Sequence, residues 1–319
     1  MTLTRDLTRT LFLLATLTAL AIGAFAQQPS GDPSNPDGDP IGRGNEVHDQ
    51  RAGSMLIYNY YTSKSPGTQN TLLTFTNTHS SSEVYVRLAF VEGTSGQPAF
   101  GTLNLAPGQT QNFLASDVDP NTTGYLIATA TDYAGATIQF DFLMGMATIT
   151  LASGHQATLG ALAVPINPNY SYAALPRQLA LDQVPSPLDY AERLLIINRI
   201  DGDLTGAMPA IGALQTDLYN DQGKRLTFTS PSQGPQATIL ANNLFNLRVD
   251  WSRFLRAGRY GWLKIRPTGG GAVTGAVLYF TRNSKTLATS PASGSYNLRH
   301  MTSTQATLQT DGGTLYFGY

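Results

Sequence analysis

The stretch VDWSRFLRAGRYGWLKIR, Val249 to Arg266, holds both tryptophans of the chain and a run of arginines spaced three apart. Indole and phenol faces stack on sugar rings or methylene groups, and guanidinium forks bind carboxylate or phosphate. Trp251, Arg253, Arg256, Arg259, Tyr260 and Trp262 are therefore the candidate ligand-binding residues, and an anionic glycan or a protein surface is the partner they suit. The same residues also have a purely structural reading. Asp250 can cap a short helix that turns Trp251, Phe254 and Leu255 inward and Arg253 and Arg256 outward, with Gly258 ending it. Nucleic acid is not the expected partner: the formal net charge is −1 and no nucleic-acid module is recognisable.

Other groups with chemical potential are dispersed. DVDPNTTG, Asp117 to Gly124, opens like a calcium loop, with Asp117, Asp119 and Asn121 at alternate positions. Thr122 stands where such a loop needs Gly, and Ala128 where it needs the closing Glu. These residues read as Asx turns, with a structural Ca2+ site as the alternative. Asp32, Asn35, Asp37 and Asp39 pose the same question in a flexible segment that again has no closing Glu. The four histidines, His48, His79, His155 and His300, fit no metal spacing. His155 lies beside Ser153, but no G-x-S-x-G elbow accompanies them. A carboxylate pair for glycoside hydrolysis has only Glu46, Glu83, Glu92 and Glu192 as glutamate candidates. No cofactor is expected, and an enzyme is not the first reading.

The elements that would position such groups are strands. In GYLIATATDYAGATIQFDFLMG, Gly124 to Gly145, a β-branched and aromatic arm from Tyr125 to Thr131 leads to the turn residues Asp132 to Gly135. Ile138, Phe140, Phe142 and Met144 then alternate with Thr137, Gln139 and Asp141, so the stretch predicts a hairpin carrying the most apolar strand of its half. A weaker copy runs from Arg259 to Arg282. Further strands are expected at Ser54–Tyr61, Thr71–Asn77, Val84–Glu92, Thr110–Leu114, Ala147–Ala152 and Ala157–Val164. The second half adds Leu194–Ile200, Gly212–Tyr219, Arg225–Thr229, Ala237–Leu240, Asn246–Val249, Tyr260–Ile265, Ala272–Thr281 and Thr314–Tyr319. Short turns between them leave no room for crossover helices, which points to all-β antiparallel sandwiches of immunoglobulin-like or fibronectin-III-like type.

The expected organisation is a signal peptide at 1–26, a Pro/Gly/Asp-rich leader at 27–50, a sandwich domain at 51–165, a Pro-rich linker at 166–188 and a second sandwich domain at 189–319. LLTFTN at Leu72 parallels LLIIN at Leu194. NFLASD before Gly124-Tyr125 parallels NLRVD before Gly261-Trp262, so the halves read as a degenerate internal repeat.

Arg5 and Arg9, the apolar run Leu11–Phe25 and Ala24-Phe25-Ala26 form a cleavable secretory signal. The predicted location is accordingly secreted, periplasmic or at the cell surface, with no membrane span in the mature chain. Without a single cysteine, stability must come from packed apolar surface, which 41% hydrophobic residues can supply. Residues 27–170 hold 4 Lys+Arg against 11 Asp+Glu, while residues 171–319 hold 14 against 9. Opposite charge on the two halves predicts docking between them or self-association of copies.

The segment Gly108 to Leu162, with NFLASDVDPNTTGYLIA and ASGHQATLGALA, resembles a module of exported bacterial proteins. The resemblance covers roughly the first domain and implies export and β-architecture but no activity. The sequence thus predicts a secreted or surface-displayed binding or assembly protein without catalysis, adhesion-like or glycan- or protein-binding. A secreted carbohydrate-active hydrolase or its accessory domain is the alternative.

Overall fold

The first arm expected in the stretch Gly124–Gly145 is β6 (Thr123–Thr131), and eight of its nine residues are buried. Leu126, Ala128 and Ala130 enter one apolar cluster, while Tyr125 and Ile127 on the opposite face enter another. A strand buried on both sides needs layers above and below it. A computed structural model describes residues 47–186, 188–189, 191–240, 250–282, 289–310 and 313–317. The expected signal peptide, the leader through residue 46 and the expected strand Asn246–Val249 lie outside the described residues.

The described residues are all-β, with helix confined to α1 (Trp251–Phe254) and a 3-10 turn at Ala115–Asp117. Sheet 1 runs β4 (Pro98–Leu105), β3 (Val84–Glu92), β6, β1 (Met55–Thr62), β9 (Leu162–Val164). Sheet 2 runs β5 (Thr110–Leu114), β2 (Asn70–Asn77), β7 (Leu143–Thr150), β8 (Gln156–Gly160). Sheet 3 runs β15 (Arg225–Gln233), β14 (Gly212–Tyr219), β17 (Tyr260–Pro267), β11 (Leu175–Pro185), β20 (Arg299–Thr304). Sheet 4 runs β16 (Gln236–Leu240), β12 (Ala191–Arg199), β18 (Val273–Arg282), β19 (Thr289–Asn297). Sheet 5 runs β10 (Ser171–Tyr172), β22 (Gly313–Phe317), β21 (Ala306–Thr310), β13 (Gly202–Asp203).

Sheets 1 and 2 have the same strand order as sheets 3 and 4 once β11, β12 and β14 to β20 are read for β1 to β9. The agreement reaches single residues. β1 bulges between Tyr58 and Tyr61, where Tyr61 meets Gly124, and β11 bulges between Leu181 and Val184, where Val184 meets Gly261. Two residues beyond each bulge a serine hydroxyl closes the neighbouring loop: Ser63 Oγ donates to the Asp119 carbonyl at 2.5 Å, and Ser186 Oγ to the Leu255 carbonyl at 2.6 Å. The order is not that of an immunoglobulin domain, in which the first strand lies beside the second and the last beside the sixth. Here β1 lies beside β6 and β7 beside β2.

The cores are not divided between the halves. Sheet 4 turns Ile196, Ala276 and Leu278 into the cluster that also holds Leu56, Phe75 and Leu126. Sheet 5 covers the outer face of sheet 1, where Phe317, Leu315 and Leu308 join Met55, Ile57 and Val91. Only the third cluster, around Leu195, Leu214 and Leu263, belongs to the second half alone. Among the described residues no ion pair joins the acidic half to the basic one. Polar bonds between the halves include amides and hydroxyls: Asn59 Nδ2 donates to the Gly275 carbonyl at 3.1 Å and to Asn297 Oδ1 at 2.8 Å, and the Tyr125 hydroxyl donates to the Arg199 carbonyl at 2.6 Å. Asn297 Nδ2 in turn donates to Asp49 Oδ2 at 3.0 Å and to the Gly160 carbonyl at 2.9 Å.

Two expectations need correction. The stretch Gly124–Gly145 is not a hairpin. After the Asp132 turn and a single bridge between Thr131 and Thr137, the chain leaves sheet 1 and enters sheet 2 as β7. The alternation that suggested a second arm comes from Ile138, Phe140 and Phe142 packing into the gap between the sheets. Asp141 between them is buried and accepts Ser54 Oγ at 2.9 Å and the Ile166 amide at 3.0 Å. The stretch 166–188 is not a bare linker either, because it contains β10 and the 11-residue β11. Its prolines are accommodated there: Pro176 adjoins a register shift against β20, and Pro185 closes the strand. The alternation in β4, β19, β20 and β21 is interrupted by Gly and Pro or made of small polar residues, and none of the four was expected.

Candidate binding surface

The arginine-rich stretch is held at one end of the sheet 3/sheet 4 sandwich by three loops. Asp250 opens α1: its carbonyl accepts the amides of Arg253 and Phe254, and its carboxylate accepts Ser252 Oγ at 2.6 Å. That hydroxyl, followed by the nearby Arg253, holds the Asp250 carboxyl below the usual range. Leu255 is fully buried and Phe254 packs beside it. Gly258 adopts φ +75 and gives its amide to Asp189, which ends the turn. Asn220 Nδ2 ties the β14–β15 turn to the Phe254 carbonyl at 2.7 Å. The expected cap and its inward Phe254 and Leu255 are present; the Trp251 side chain lies outside the described residues.

The remaining candidates separate. Arg253, Arg256 and Arg259 are exposed. Arg253 pairs with Asp250 at 3.2 Å and Arg259 with Asp221 at 3.7 Å. Tyr260 is 56% exposed, whereas Trp262 lies flat on Tyr219, with ring centroids 4.1 Å apart and planes within 5°. One indole face is therefore covered by a cross-strand neighbour, which stabilises the sheet, and Trp262 as a whole is half-buried.

Strand pairing places Trp262 in a larger arrangement that sequence spacing could not reveal. Across the outer face of sheet 3, Arg225, Tyr219 and Trp262 form one row, Thr227, Asp217 and Lys264 the next, and Thr229, Gln215 and Arg266 the third. Arg225 approaches Asp217 at 3.9 Å, Thr227 Oγ1 donates to Asp217 at 2.5 Å, and Arg266 donates to Gln215. Among the described residues neither Lys264 nor Arg266 meets a carboxylate. The face is cationic and partly aromatic.

The other motifs are engaged in local structure. Asp119 accepts the Tyr61 hydroxyl and Thr122 Oγ1, and Asp117 accepts the Leu114 amide at 3.0 Å. These bonds make turns, and among the described residues no group of three or more His, Asp or Glu is arranged to hold a metal ion. His155 Nδ1 lies 2.8 Å from Ser153 Oγ within the β7–β8 turn. His79 packs edge-on against Phe142 and accepts the Ser82 amide at 2.9 Å. Glu92 accepts the Ser95 amide at 2.5 Å and caps the β3–β4 turn.

One further depression was not expected. Sheet 5 leaves one end of the outer face of sheet 1 open, and a cleft of about 450 Å³ forms there, lined by Tyr85, Arg87, Phe100, Thr102, Thr131 and the turn Asp132–Gly135. The Arg87 guanidinium carbon lies 5.0 Å from the centre of the Phe100 ring. The signal that could have found this cleft is the alternation of Phe100, Thr102 and Asn104 in β4, opposite Ala89, Arg87 and Tyr85.

No family model, no curated protein and no solved structure matches this chain.

Proposed function

We propose that this is a secreted or cell-surface binding protein without catalysis of its own, and that the outer face of sheet 3 engages an acidic glycan. The observation that carries the reading is the pair Lys264 and Arg266, both without a carboxylate partner among the described residues, set beside the Tyr219–Trp262 stack and close to exposed Tyr260. Cations on a strand face can follow a repeating anionic chain, while the exposed Tyr260 ring takes the apolar side of a sugar. Export rests on the N-terminal sequence pattern. The two halves are read as copies of one sandwich, supported by the shared strand order and by the matched Ser63 and Ser186 bonds.

The test is retention of the mature chain, Gln27 to Tyr319, on immobilised acidic and neutral polysaccharides, with the double variant Lys264→Ala/Arg266→Ala beside it. Both side chains lie on the outer face, so the variant is expected to keep its melting temperature. Retention on the acidic polymer alone, weakened about tenfold or more in the variant, is the expected result. Equal retention of both proteins would remove sheet 3 from the reading. Retention only on acidic proteins would change the partner class.

A further inference from the structure

We propose that copies of this chain associate through unlike sheet edges, β4 of one copy pairing antiparallel with β15 of a second copy. The inference goes beyond the glycan reading and does not use Lys264 or Arg266.

The backbone comes first. β4 and β15 hold the same place in the two halves, each at one edge of a five-stranded sheet. β4 pairs with β3 along its whole length without a register shift, and Arg225–Thr229 of β15 pair with β14 in the same way. Among the described residues no strand pairs with the other side of either. Alternate N–H and C=O groups of such a strand point away from the sheet, and another extended backbone satisfies them best. Natural edges are guarded by charge, a bulge, proline or a cover. β4 has no charged residue and no bulge, and its one proline, Pro98, stands at the first position. β15 carries Arg225 at its start and Pro231 near its end, which leaves Arg225–Ser230 for pairing.

Charge then selects which edges meet. Residues 27–170 hold 4 Lys+Arg against 11 Asp+Glu, and residues 171–319 hold 14 against 9. Among the described residues no ion pair joins these halves within one molecule, so their opposite fields are open to a second copy. Antiparallel pairing sets the Leu105 end of β4 beside the Arg225 end of β15. Glu83 precedes Val84, which lies opposite Leu105, and Lys224 precedes Arg225, so the pairing turns Glu83 toward Lys224 of the second copy. Both side chains are exposed, and among the described residues neither meets an opposite charge. Pairing β4 with β4 instead turns Glu83 toward Glu92 of the second copy and joins two acidic halves.

The side chains agree with one register. Leu105 opposite Leu226 and Leu103 opposite Phe228 keeps the core-facing residues of both strands on one side. Exposed Thr102 and Asn104 then lie opposite Thr229 and Thr227, also exposed, and such polar cross-strand pairs stabilise a sheet. Used once per pair of molecules, the contact builds open chains; used twice about a two-fold axis, it closes a dimer. The charges across it are the same in both.

The experiment is sedimentation velocity of residues 27–319 over a range of concentrations at low and high salt, with Glu83→Lys, Lys224→Glu and Thr102→Lys as variants. All three positions are exposed, so each variant is expected to keep its melting temperature. Thr102→Lys puts into the pairing segment the charge that β4 lacks. The unmodified chain is expected to associate, and less strongly as salt rises. Each variant alone is expected to weaken association about tenfold or more. An equimolar mixture of Glu83→Lys and Lys224→Glu is expected to associate again, because every β4–β15 contact between the two then joins opposite charges. Misfolding of either variant could not be rescued in this way. A monomer at all concentrations would overturn the proposal, as would association that Thr102→Lys leaves unchanged. Association insensitive to salt, or a mixture that stays as weak as its components, would overturn the pairing of Glu83 with Lys224 and with it the choice of unlike edges.

Discussion

Asn198 Nδ2 donates to both the backbone carbonyl of Asn59, at 2.8 Å, and its side-chain Oδ1, at 3.1 Å, although 139 positions separate the two residues. Gln236 Nε2 donates to Asn198 Oδ1 at 2.8 Å, so the Asn198 amide is engaged at both ends. Both asparagines are buried, and Asn59 sits within the β1 bulge. Buried amides satisfied in this way specify one relative placement of two surfaces, because any slip leaves polar groups unpaired where water cannot reach.

Replacing Asn198 by Leu should therefore destabilise the whole protein by about 3 kcal/mol, because the Asn59 oxygens and the Gln236 amide would lose their partners. The midpoint of urea denaturation reads this. A shift well under 1 kcal/mol would mean that the network contributes little to stability.

The halves should unfold together. Met55, Ile57, Val91, Tyr125 and Ile127 are buried only because sheet 5 and its neighbours lie over them. Calorimetry of residues 27–319 should give one transition, and residues 47–165 expressed alone should aggregate or remain unfolded. Two separated transitions would show that each sandwich is stable by itself.

Five tyrosines set the alkaline limit. Burial raises the pKa of Tyr58, Tyr125 and Tyr172, and burial followed by the hydrogen bond to Asp119 raises that of Tyr61. Burial, partly offset by the Thr62 and Thr123 hydroxyls, pushes Tyr60 up to about 12. A folded pKa above the unfolded value stabilises fully below the unfolded value, near 10, and that contribution is lost as pH rises through the folded value. Stability should be flat in this respect below about pH 10 and fall between about 10 and 12. Absorbance at 295 nm should report ionisation of these tyrosines together with unfolding, and ionisation with the fold intact would contradict their burial.

Gly124 and Gly261 should respond alike to substitution. A Cβ at Gly124 would overlap the Val91 carbonyl on β3, and one at Gly261 would overlap the Tyr219 carbonyl on β14. Neither carbonyl belongs to a flexible side chain, so each Gly→Ala change should cost about 3 kcal/mol through forced backbone shifts. Thermal denaturation of the two variants checks this, and a large loss at one position with none at the other would end their equivalence.

Much of the strand content was legible. β-branched and aromatic runs bounded by turn residues mark β2, β3, β5 and β14, and Asp250, Leu255 and Gly258 mark the capped turn at α1. The false hairpin at Gly124–Gly145 shows where periodicity stops: alternation reports that Ile138, Phe140 and Phe142 face the core, and says nothing about which sheet the backbone joins. The site was legible only as the arginine-rich stretch. Its Lys264–Arg266 platform and the Arg87 cleft both depend on strands that are distant in sequence.

The sequence by itself determined that this chain folds as β-sheet, because its apolar and polar residues alternate with the strand period between Gly, Pro, Asn and Asp turns. The tertiary structure decided which strands are neighbours, exchanged β1 and β7 relative to an immunoglobulin order, and fused the halves through shared cores. It also decided where sheet 5 stops, and hence that Arg87 stands in a cleft. Pairing partners are chosen by the burial of whole faces, a property of many residues at once that no local spacing encodes.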